Sequence, residues 1–101
     1  LIKEALEGYG YNVALACGGI DGMKLFKSYQ FDAVVMDMMM AQGEGFETLG
    51  WMKDCTPDVR TLGISANADY LTIFKQLGAT DILHKPFKME ALAAKLLEIM
   101  D

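Results

Sequence analysis

The chain has 101 residues, of which 52% are hydrophobic, and this length and composition suit one small globular domain. Its net charge of −5 argues against a nucleic-acid-binding protein, because such proteins present a basic patch. No apolar run is long enough to span a membrane and no signal-like segment is found, so the sequence predicts a soluble, cytoplasmic protein.

Apolar residues along the chain alternate between the spacing of helices and that of strands. In chain order the predicted elements are a helix over residues 1–8, a strand over 11–17, a helix over 20–29, a strand over 33–37, a helix over 46–55, a strand over 60–66, a helix over 69–77, a strand over 80–84 and a helix over 89–100. Gly8 and Gly78 are placed to end the first and fourth of these helices. Strands that alternate with helices imply βαβ units and a parallel sheet. No repeat or linker divides the chain, so the prediction is one α/β domain.

The two cysteines, Cys17 and Cys55, form neither a CxxC pair nor a Cys/His cluster. Zinc sites and redox-active pairs need such close spacing, and disulfides are rare in the cytosol. The sequence therefore predicts two buried, reduced thiols.

Three polar side chains are predicted at the C-terminal ends of strands: Asp37, Ser65 and Lys85. In a parallel sheet those ends share one edge, where open α/β folds bind their ligands. The following loop adds main-chain carbonyls, notably that of Met39, and a carboxylate beside a carbonyl suits Mg²⁺. A carboxylate can also become an aspartyl phosphate, with an ammonium and a hydroxyl stabilising the phosphoryl oxygens. The set is chemically coherent for phosphoryl transfer onto Asp37.

Each of these residues also has a plainer interpretation. Asp37 suits a helix N-cap or a turn, Ser65 suits the start of the next helix, and Lys85 suits a solvated lysine. Isolated motif matches are weak, so each plainer interpretation is favoured singly, and only the joint placement at three strand ends reverses that preference. His84 alone makes no metal site, and the run Met38–Met40 is more typical of packing than of a soft-metal site.

Four segments carry a resemblance to a known family: VVMDMMMAQGEG at 34–45, LGISA at 62–66, LHKPF at 83–87 and GYNVALACGGIDGMKLF at 10–26. Together they resemble the receiver domain of bacterial two-component response regulators over nearly the whole chain. The resemblance implies a flavodoxin-like three-layer sandwich, with a parallel sheet of strand order 2-1-3-4-5 and helices on both faces.

The resemblance also assigns roles to the candidate residues. Asp37 matches the phosphoacceptor, which takes a phosphoryl group from a histidine kinase or phosphotransfer protein. Met39 matches the residue whose main-chain carbonyl binds Mg²⁺, so the implied metal ligands are Asp37 and Met39. Ser65 matches the switch hydroxyl and Lys85 the phosphate-binding lysine, whose bond to Pro86 is commonly cis. The implied domain assists its own phosphorylation and dephosphorylation but is not an enzyme.

The chain departs from the family pattern at three places. Ala41 stands where the family usually has proline, which should loosen the phosphorylation loop. Ile82 occupies the aromatic switch position, which puts signalling through an aromatic rotamer in doubt. The family's first strand and its acidic pair are absent, so residues 1–101 are interpreted as an N-terminally incomplete receiver domain with poor Mg²⁺ affinity.

The absent strand would lie in the interior of the sheet. Losing about five buried apolar residues removes about 7–15 kcal/mol, which matches the roughly 5–15 kcal/mol of total stability in such a domain. We therefore expect the chain not to fold alone as a receiver unless a partner or a swapped segment fills the gap.

Phosphorylation is expected to switch a surface around the last two strands and the helix between them. The implied partners are a kinase or phosphotransfer protein and an output domain or protein, without nucleic acid or membrane. A homodimer through the face of the last two strands and helices is an open alternative.

Two rival functions remain. One is a pseudo-receiver that binds proteins without phosphorylation, which Ala41, Ile82 and the missing acids favour modestly. The other is a flavodoxin-like enzyme or small-ligand domain, which the lack of a glycine-rich phosphate loop disfavours.

Overall fold

The computed structural model describes residues 2–37 and 44–101, in which helices alternate with parallel strands. The elements are α1 (Ile2–Gly8), α2 (Gly19–Ser28), β1 (Val34–Asp37), α3 (Glu44–Cys55), β2 (Thr61–Ser65), α4 (Ala68–Gln76), β3 (Asp81–His84) and α5 (Met89–Met100). Every predicted element except the first strand is present, with its ends within two residues of the predicted bounds. Within the described ranges, no helix is long and apolar enough to cross a membrane.

The described strands form one sheet in the order β1-β2-β3, and both pairings are parallel. Asp37 of β1 lies opposite Ile64 of β2, and Ser65 of β2 lies opposite His84 of β3. β2 is the central strand, and all of its residues are buried. This is the order expected of the last three strands of a 2-1-3-4-5 sheet, and it brings the C-terminal ends of the three strands to one edge.

Helices cover both faces of the sheet, as the family resemblance implies. On one face the side chains of β2 pack against α1 and α5. The buried members of this group, called the α1–α5 cluster, are Leu6, Leu62, Ile64, Leu92, Leu96 and Ile99. On the other face β1 packs against α3 and α4, and the buried members of this α3–α4 cluster are Met36, Leu49, Phe74 and Ala79. The fold is therefore a three-layer α/β sandwich.

The spacing between β2 and α4 depends on a glycine. A Cβ placed on Gly63 would lie 2.7 Å from both Cγ and Cδ2 of Phe74, a separation that real Cβ atoms do not adopt. Phe74 is fully buried, so its ring has little room to move away. The absence of a side chain at residue 63 thus allows α4 to lie directly on the central strand.

Two glycines with positive φ mark helix ends. Gly78, with φ of 99°, follows α4 as predicted. The helix α1 ends at Gly8, as predicted, and the chain reverses two residues later at Gly10, where φ is 95°. The main-chain amides of residues 10 and 11 then donate back to carbonyls in the last turn of α1.

The predicted strand over residues 11–17 does not form. The segment keeps strand-like alternation at its start, since Tyr11 and Val13 pack against the α1–α5 cluster while Asn12 and Ala14 are exposed. However, its residues 12–17 make no main-chain hydrogen bond to any described part of the sheet. A strand exists only when a neighbour pairs with its N–H and C=O groups. In the 2-1-3-4-5 order that neighbour is the first strand, which none of the described residues supplies.

The prediction of buried thiols is also wrong, because both Cys17 and Cys55 are free and exposed. Cys17 is the last residue of the unpaired segment, and Cys55 is the last residue of α3. Neither position faces a cluster of the core, so the apolar character of cysteine did not decide its placement.

Helix α2 is held mainly by its contact with α3. The rings of Phe26 and Trp51 meet edge to face, with centroids 5.8 Å apart, and no residue of α2 is fully buried. Beside this contact lies an open cleft of about 440 Å³, whose lining residues are Gly19, Ile20, Met23, Glu47, Thr48 and Trp51.

Candidate functional site

The sheet brings the candidate residues Asp37, Ser65 and Lys85 to one edge. Asp37 and Ser65 are the last residues of β1 and β2, and Lys85 follows directly after β3. The main-chain amide of Lys85 donates to the carbonyl of Ser65 at 2.8 Å, which extends the β2–β3 pairing past the end of the strand. The cis bond between Lys85 and Pro86, implied by the resemblance, is present.

Asp37 and Lys85 form an ion pair. The Lys85 Nζ atom lies 2.8 Å from both Oδ1 and Oδ2 of Asp37 and donates to each. The two side chains are 30% and 29% exposed, so the pair is partly shielded from water but open to a ligand on one side. A salt bridge this exposed adds only about 0–1 kcal/mol to stability. Its geometry therefore matters more for positioning the two charges than for holding the fold.

Ser65 is buried, with 1% of its surface exposed, and its hydroxyl has a partner. The Oγ atom accepts a hydrogen bond of 3.0 Å from the main-chain amide of Asn67. A hydroxyl carries one donor and two acceptor positions, so this bond leaves the proton of Ser65 to be donated elsewhere. The plainer interpretation of Ser65, a role at the start of the next helix, is thus seen in the structure, and it does not exclude a role toward Asp37.

Asn67 is the N-cap of α4. Its Oδ1 atom accepts hydrogen bonds from the amides of Asp69, at 2.9 Å, and Tyr70, at 3.2 Å. The ring of Tyr70 meets Phe46 of α3 edge to face with centroids 5.7 Å apart, and Phe46 in turn meets Phe74 at 5.2 Å. The turn after Ser65 is therefore connected to an aromatic group that joins α3 and α4.

Sequence reasoning did not single out Asn67. The signal was available, because an asparagine two residues before the predicted helix, with an acid two residues later, is typical of an N-cap. The bond from its amide to Ser65 depends on the shape of the turn, which no local pattern specifies.

Of the two metal ligands that the resemblance implies, Asp37 is described and Met39 is not. Met38–Met40, Ala41 and Gly43 all lie outside the described residues. Among the described residues, no group of three or more His, Cys, Asp and Glu side chains is arranged to hold a metal ion. His84 is exposed at the end of β3.

A second charged group lies at the opposite end of β3. Lys95 of α5 donates to Asp81 Oδ2 at 2.9 Å, the amide of Ile82 donates to Oδ1 at 2.8 Å, and Lys75 of α4 lies 3.8 Å from Oδ1. Burial raises the pKa of the Asp81 carboxyl, but these donors outweigh it and hold that pKa below its usual value. The same hydrogen bond raises the pKa of Lys95. This group ties α4 and α5 to the edge strand.

Comparison with known protein families and structures gives consistent matches. The profile described as "Response regulator receiver domain" matches residues 1–97. The transcriptional regulatory protein ZraR of Klebsiella oxytoca is 33% identical over 102 residues, which cover 99% of this chain and 23% of that protein. The chain therefore spans less than a quarter of the length of this relative.

Solved structures show the same architecture. A response regulator receiver domain protein from Clostridium thermocellum superposes with a TM-score of 0.89 at 25% identity, covering 98% of this chain and 82% of that one. The response regulator protein TrrA from Thermotoga maritima, solved in complex with Mg²⁺-BeF, superposes with a TM-score of 0.86 at 26% identity, covering 97% and 85%.

Proposed function

Since this chain belongs to the response regulator receiver domain family, we propose that Asp37 is its phosphoacceptor. The phosphoryl group would come from a histidine kinase or phosphotransfer protein of a two-component system. The observation that carries this proposal is the contact of Lys85 Nζ with both oxygens of Asp37, at 2.8 Å each, on the sheet edge that also holds Ser65.

In the proposed reaction a carboxylate oxygen of Asp37 attacks phosphorus while the bond from phosphorus to the donor breaks. The product is an acyl phosphate, and the electron pair of the broken bond leaves with the donor, which takes up a proton. Lys85 is already placed to follow the added negative charge, because its ammonium contacts the attacking carboxylate. The free proton of Ser65 is a further donor to the phosphoryl oxygens.

The residues present fit Mg²⁺ only in part. The resemblance assigns the cation to the Asp37 carboxylate and the Met39 carbonyl, and the related TrrA was solved with Mg²⁺-BeF. When bound, the cation would neutralise charge on the phosphoryl oxygens. Both oxygens of Asp37 already accept from Lys85, and the described residues offer no acidic cluster beside it. We therefore propose weak Mg²⁺ binding by this chain.

The output of the domain is proposed to be the surface formed by β2, α4 and β3. Phosphorylation would bias this surface between two arrangements that an output domain or protein distinguishes. The group formed by Asp81, Lys75 and Lys95 supports this choice, because it joins α4 and α5 across the edge strand.

The pseudo-receiver is the weaker alternative. A domain that had lost phosphorylation would have no need to keep a carboxylate and an ammonium in contact at the edge beside a buried hydroxyl. Ile82 in place of an aromatic residue affects signalling after phosphorylation, and it removes no group that contacts the phosphoryl.

Incubation of the natural full-length protein with acetyl phosphate and Mg²⁺, followed by mass spectrometry, tests the proposal. We expect a phosphate adduct that is lost in Asp37→Asn. The matched control is Asp32→Asn, which removes an exposed carboxylate from the loop just before β1 and should leave the adduct unchanged. An unmodified wild-type protein would support the pseudo-receiver, and an adduct that survives in Asp37→Asn would show that another residue is the phosphoacceptor.

We also propose that a further parallel strand pairs with the open edge of β1, between β1 and residues 11–16. Among the described residues, β1 pairs only with β2, and residues 12–17 have no main-chain partner in the sheet. A strand in that place would give both neighbours hydrogen bonds and complete the 2-1-3-4-5 order.

Hydrogen exchange tests the added strand. In the natural full-length protein, we expect the amides of residues 12–17 to be protected, whereas in the 101-residue chain alone they should exchange as fast as an unfolded peptide. Equal, fast exchange in both proteins would contradict the added strand.

A further inference from the structure

The turn between β2 and α4 connects Ser65 to the first turn of α4, and this connection does not pass through residue 82 on β3. We propose that Asn67 is a positioning residue for Ser65 and that the first turn of α4 reports the state of Asp37 through Tyr70. This inference rests on the proposed phosphorylation of Asp37. An aromatic ring at position 82 would report the state of the site, but this chain has the aliphatic Ile82 there. The inference assigns that reporting role to α4.

The first step is the hydrogen bond from the main-chain amide of Asn67 to the Ser65 hydroxyl. The Asn67 amide donates to Oγ at 3.0 Å, which fixes the oxygen of a side chain that is only 1% exposed. With one lone pair occupied by this amide, the hydroxyl proton is left for another acceptor. When a phosphoryl group forms on Asp37, Ser65 has a strong anionic acceptor beside its strand.

The second step is the double role of Asn67. Its amide holds Ser65, while its side chain caps α4 through the amides of Asp69 and Tyr70. An amide that loses its acceptor in a partly buried turn must find another one, so a movement of the Ser65 Oγ atom toward the phosphoryl group shifts the turn. The cap shifts with it, because both hydrogen-bonding groups belong to one residue.

The third step carries the shift to the surface. Tyr70 lies in the first turn of α4, is half-buried, and contacts Phe46 near the start of α3. Ile82 packs against the same α3–α4 cluster, but as an aliphatic neighbour of these rings. The aromatic contact that can change with the state of the site is therefore Tyr70 on Phe46.

The experiment uses fluorine NMR on the natural full-length protein labelled with 3-fluorotyrosine. The chain has four tyrosines, and the resonance of residue 70 is assigned by its loss in Tyr70→Phe. Beryllofluoride with Mg²⁺ serves as the phosphoryl probe, and its own bound fluorine signal shows that the site is filled. We expect the Tyr70 resonance to shift when the probe binds.

The decisive variant is Asn67→Ala, which removes the capping oxygen. The Tyr70 shift should disappear although beryllofluoride binds, and phosphorylation by acetyl phosphate should slow by about tenfold, less than the roughly 100- to 1,000-fold expected when a charge-stabilising donor is lost outright. Asn67→Ser keeps a capping oxygen and should restore both properties. The matched control is Thr72→Ala, which removes a hydrogen bond from Thr72 Oγ1 to the Ala68 carbonyl in the same helix and should behave as wild type.

The outcomes separate this inference from the proposed function. If Asp37 is phosphorylated and the Tyr70 shift persists in Asn67→Ala, the inference is overturned while the function stands. If Asp37 takes up no phosphoryl group, both are overturned. Should Asn67→Ala fail to fold, Ser65→Ala carries the test. The cap is intact in that variant, so a Tyr70 shift that survives probe binding would equally overturn the inference.

Discussion

The N-terminal third of this protein and its C-terminal half use similar sequence patterns with different results. Residues 61–65 form a central strand that is buried along its whole length, whereas residues 12–17 make no main-chain hydrogen bond to the described sheet. Among the described residues before β1, Leu6 alone is a buried hydrophobic residue, whereas every other buried member of both clusters lies in β1 or after it. The contrast shows that main-chain pairing, more than the apolar pattern, decides whether such a segment becomes part of the core.

The strongest test of this contrast compares two leucines in the two extended segments. Leu62 on β2 is fully buried, whereas Leu15 is 70% exposed. Leu62→Ala should lower the free energy of unfolding by about 2–5 kcal/mol, and Leu15→Ala should change it by less than about 0.5 kcal/mol as long as residues 11–16 are unpaired. Urea denaturation of the natural full-length protein measures both. Equal losses would mean that Leu15 becomes buried there, as a paired strand over residues 11–16 would allow.

A smaller effect is expected where the central strand meets α4. Gly63→Ala places a methyl group against the Phe74 ring and should cost about 1–3 kcal/mol of stability. The matched control is Gly50→Ala in α3, where no atom lies within 4 Å of the added Cβ. That change should be neutral or stabilise by about 0.5–1 kcal/mol, since alanine favours a helix. A neutral Gly63→Ala would show that the β2–α4 spacing is adjustable.

The smallest effect is expected for the charged group at the start of β3. This group joins α4, β3 and α5 only, so its loss should affect the C-terminal half and not the N-terminal third. Asp81→Asn should cost about 1 kcal/mol or less near neutral pH, because the pair with Lys95 is partly exposed. The folded-state pKa of Asp81 is lowered, so its contribution is present above the usual value of 3.8 and is lost as pH falls through the folded-state value. The pKa of Lys95 is raised, so its contribution is present below 10.5 and is lost as pH rises through the folded-state value.

Thermal melts of the wild type and of Asp81→Asn across this pH range measure the difference. It should be constant between about pH 5 and 9 and shrink at both extremes. The control, Asp54→Asn, changes an exposed aspartate near the end of α3 and should show no such profile. A difference that grew in acid would contradict the assigned direction of the Asp81 shift.

Most of the fold follows from the sequence because its patterns are local. The apolar spacing of residues 89–100 predicts α5 with its observed bounds, and the run around Leu62 predicts the buried strand. The error at residues 11–17 has a non-local cause, since alternation is a property of the segment but pairing needs a neighbour. The helix α1 ends at Gly8 as predicted, but the residue with positive φ is Gly10, because either glycine can adopt that conformation.

In the candidate site, too, some features follow from the sequence pattern and others depend on three-dimensional geometry. That Asp37 and Lys85 lie together follows from the parallel sheet, because both come at the C-terminal ends of strands. That Lys85 contacts both carboxylate oxygens depends on side-chain geometry that no spacing rule gives. The bond from the Asn67 amide to Ser65 likewise depends on the turn, although the N-cap itself had a sequence signal.

The edge-to-face contact of Trp51 with Phe26 has a spectroscopic consequence. Trp51 is the only tryptophan, so the intrinsic indole fluorescence of the protein comes from one ring at the α2–α3 contact. Far-UV circular dichroism, in contrast, averages over all the helices, to which α4 and α5 contribute a large part. Fluorescence that changes before circular dichroism during denaturation would show that α2 separates from α3 while the paired strands and α5 are still folded. The protein thus carries its own optical probe of the boundary between its weakly and strongly packed parts.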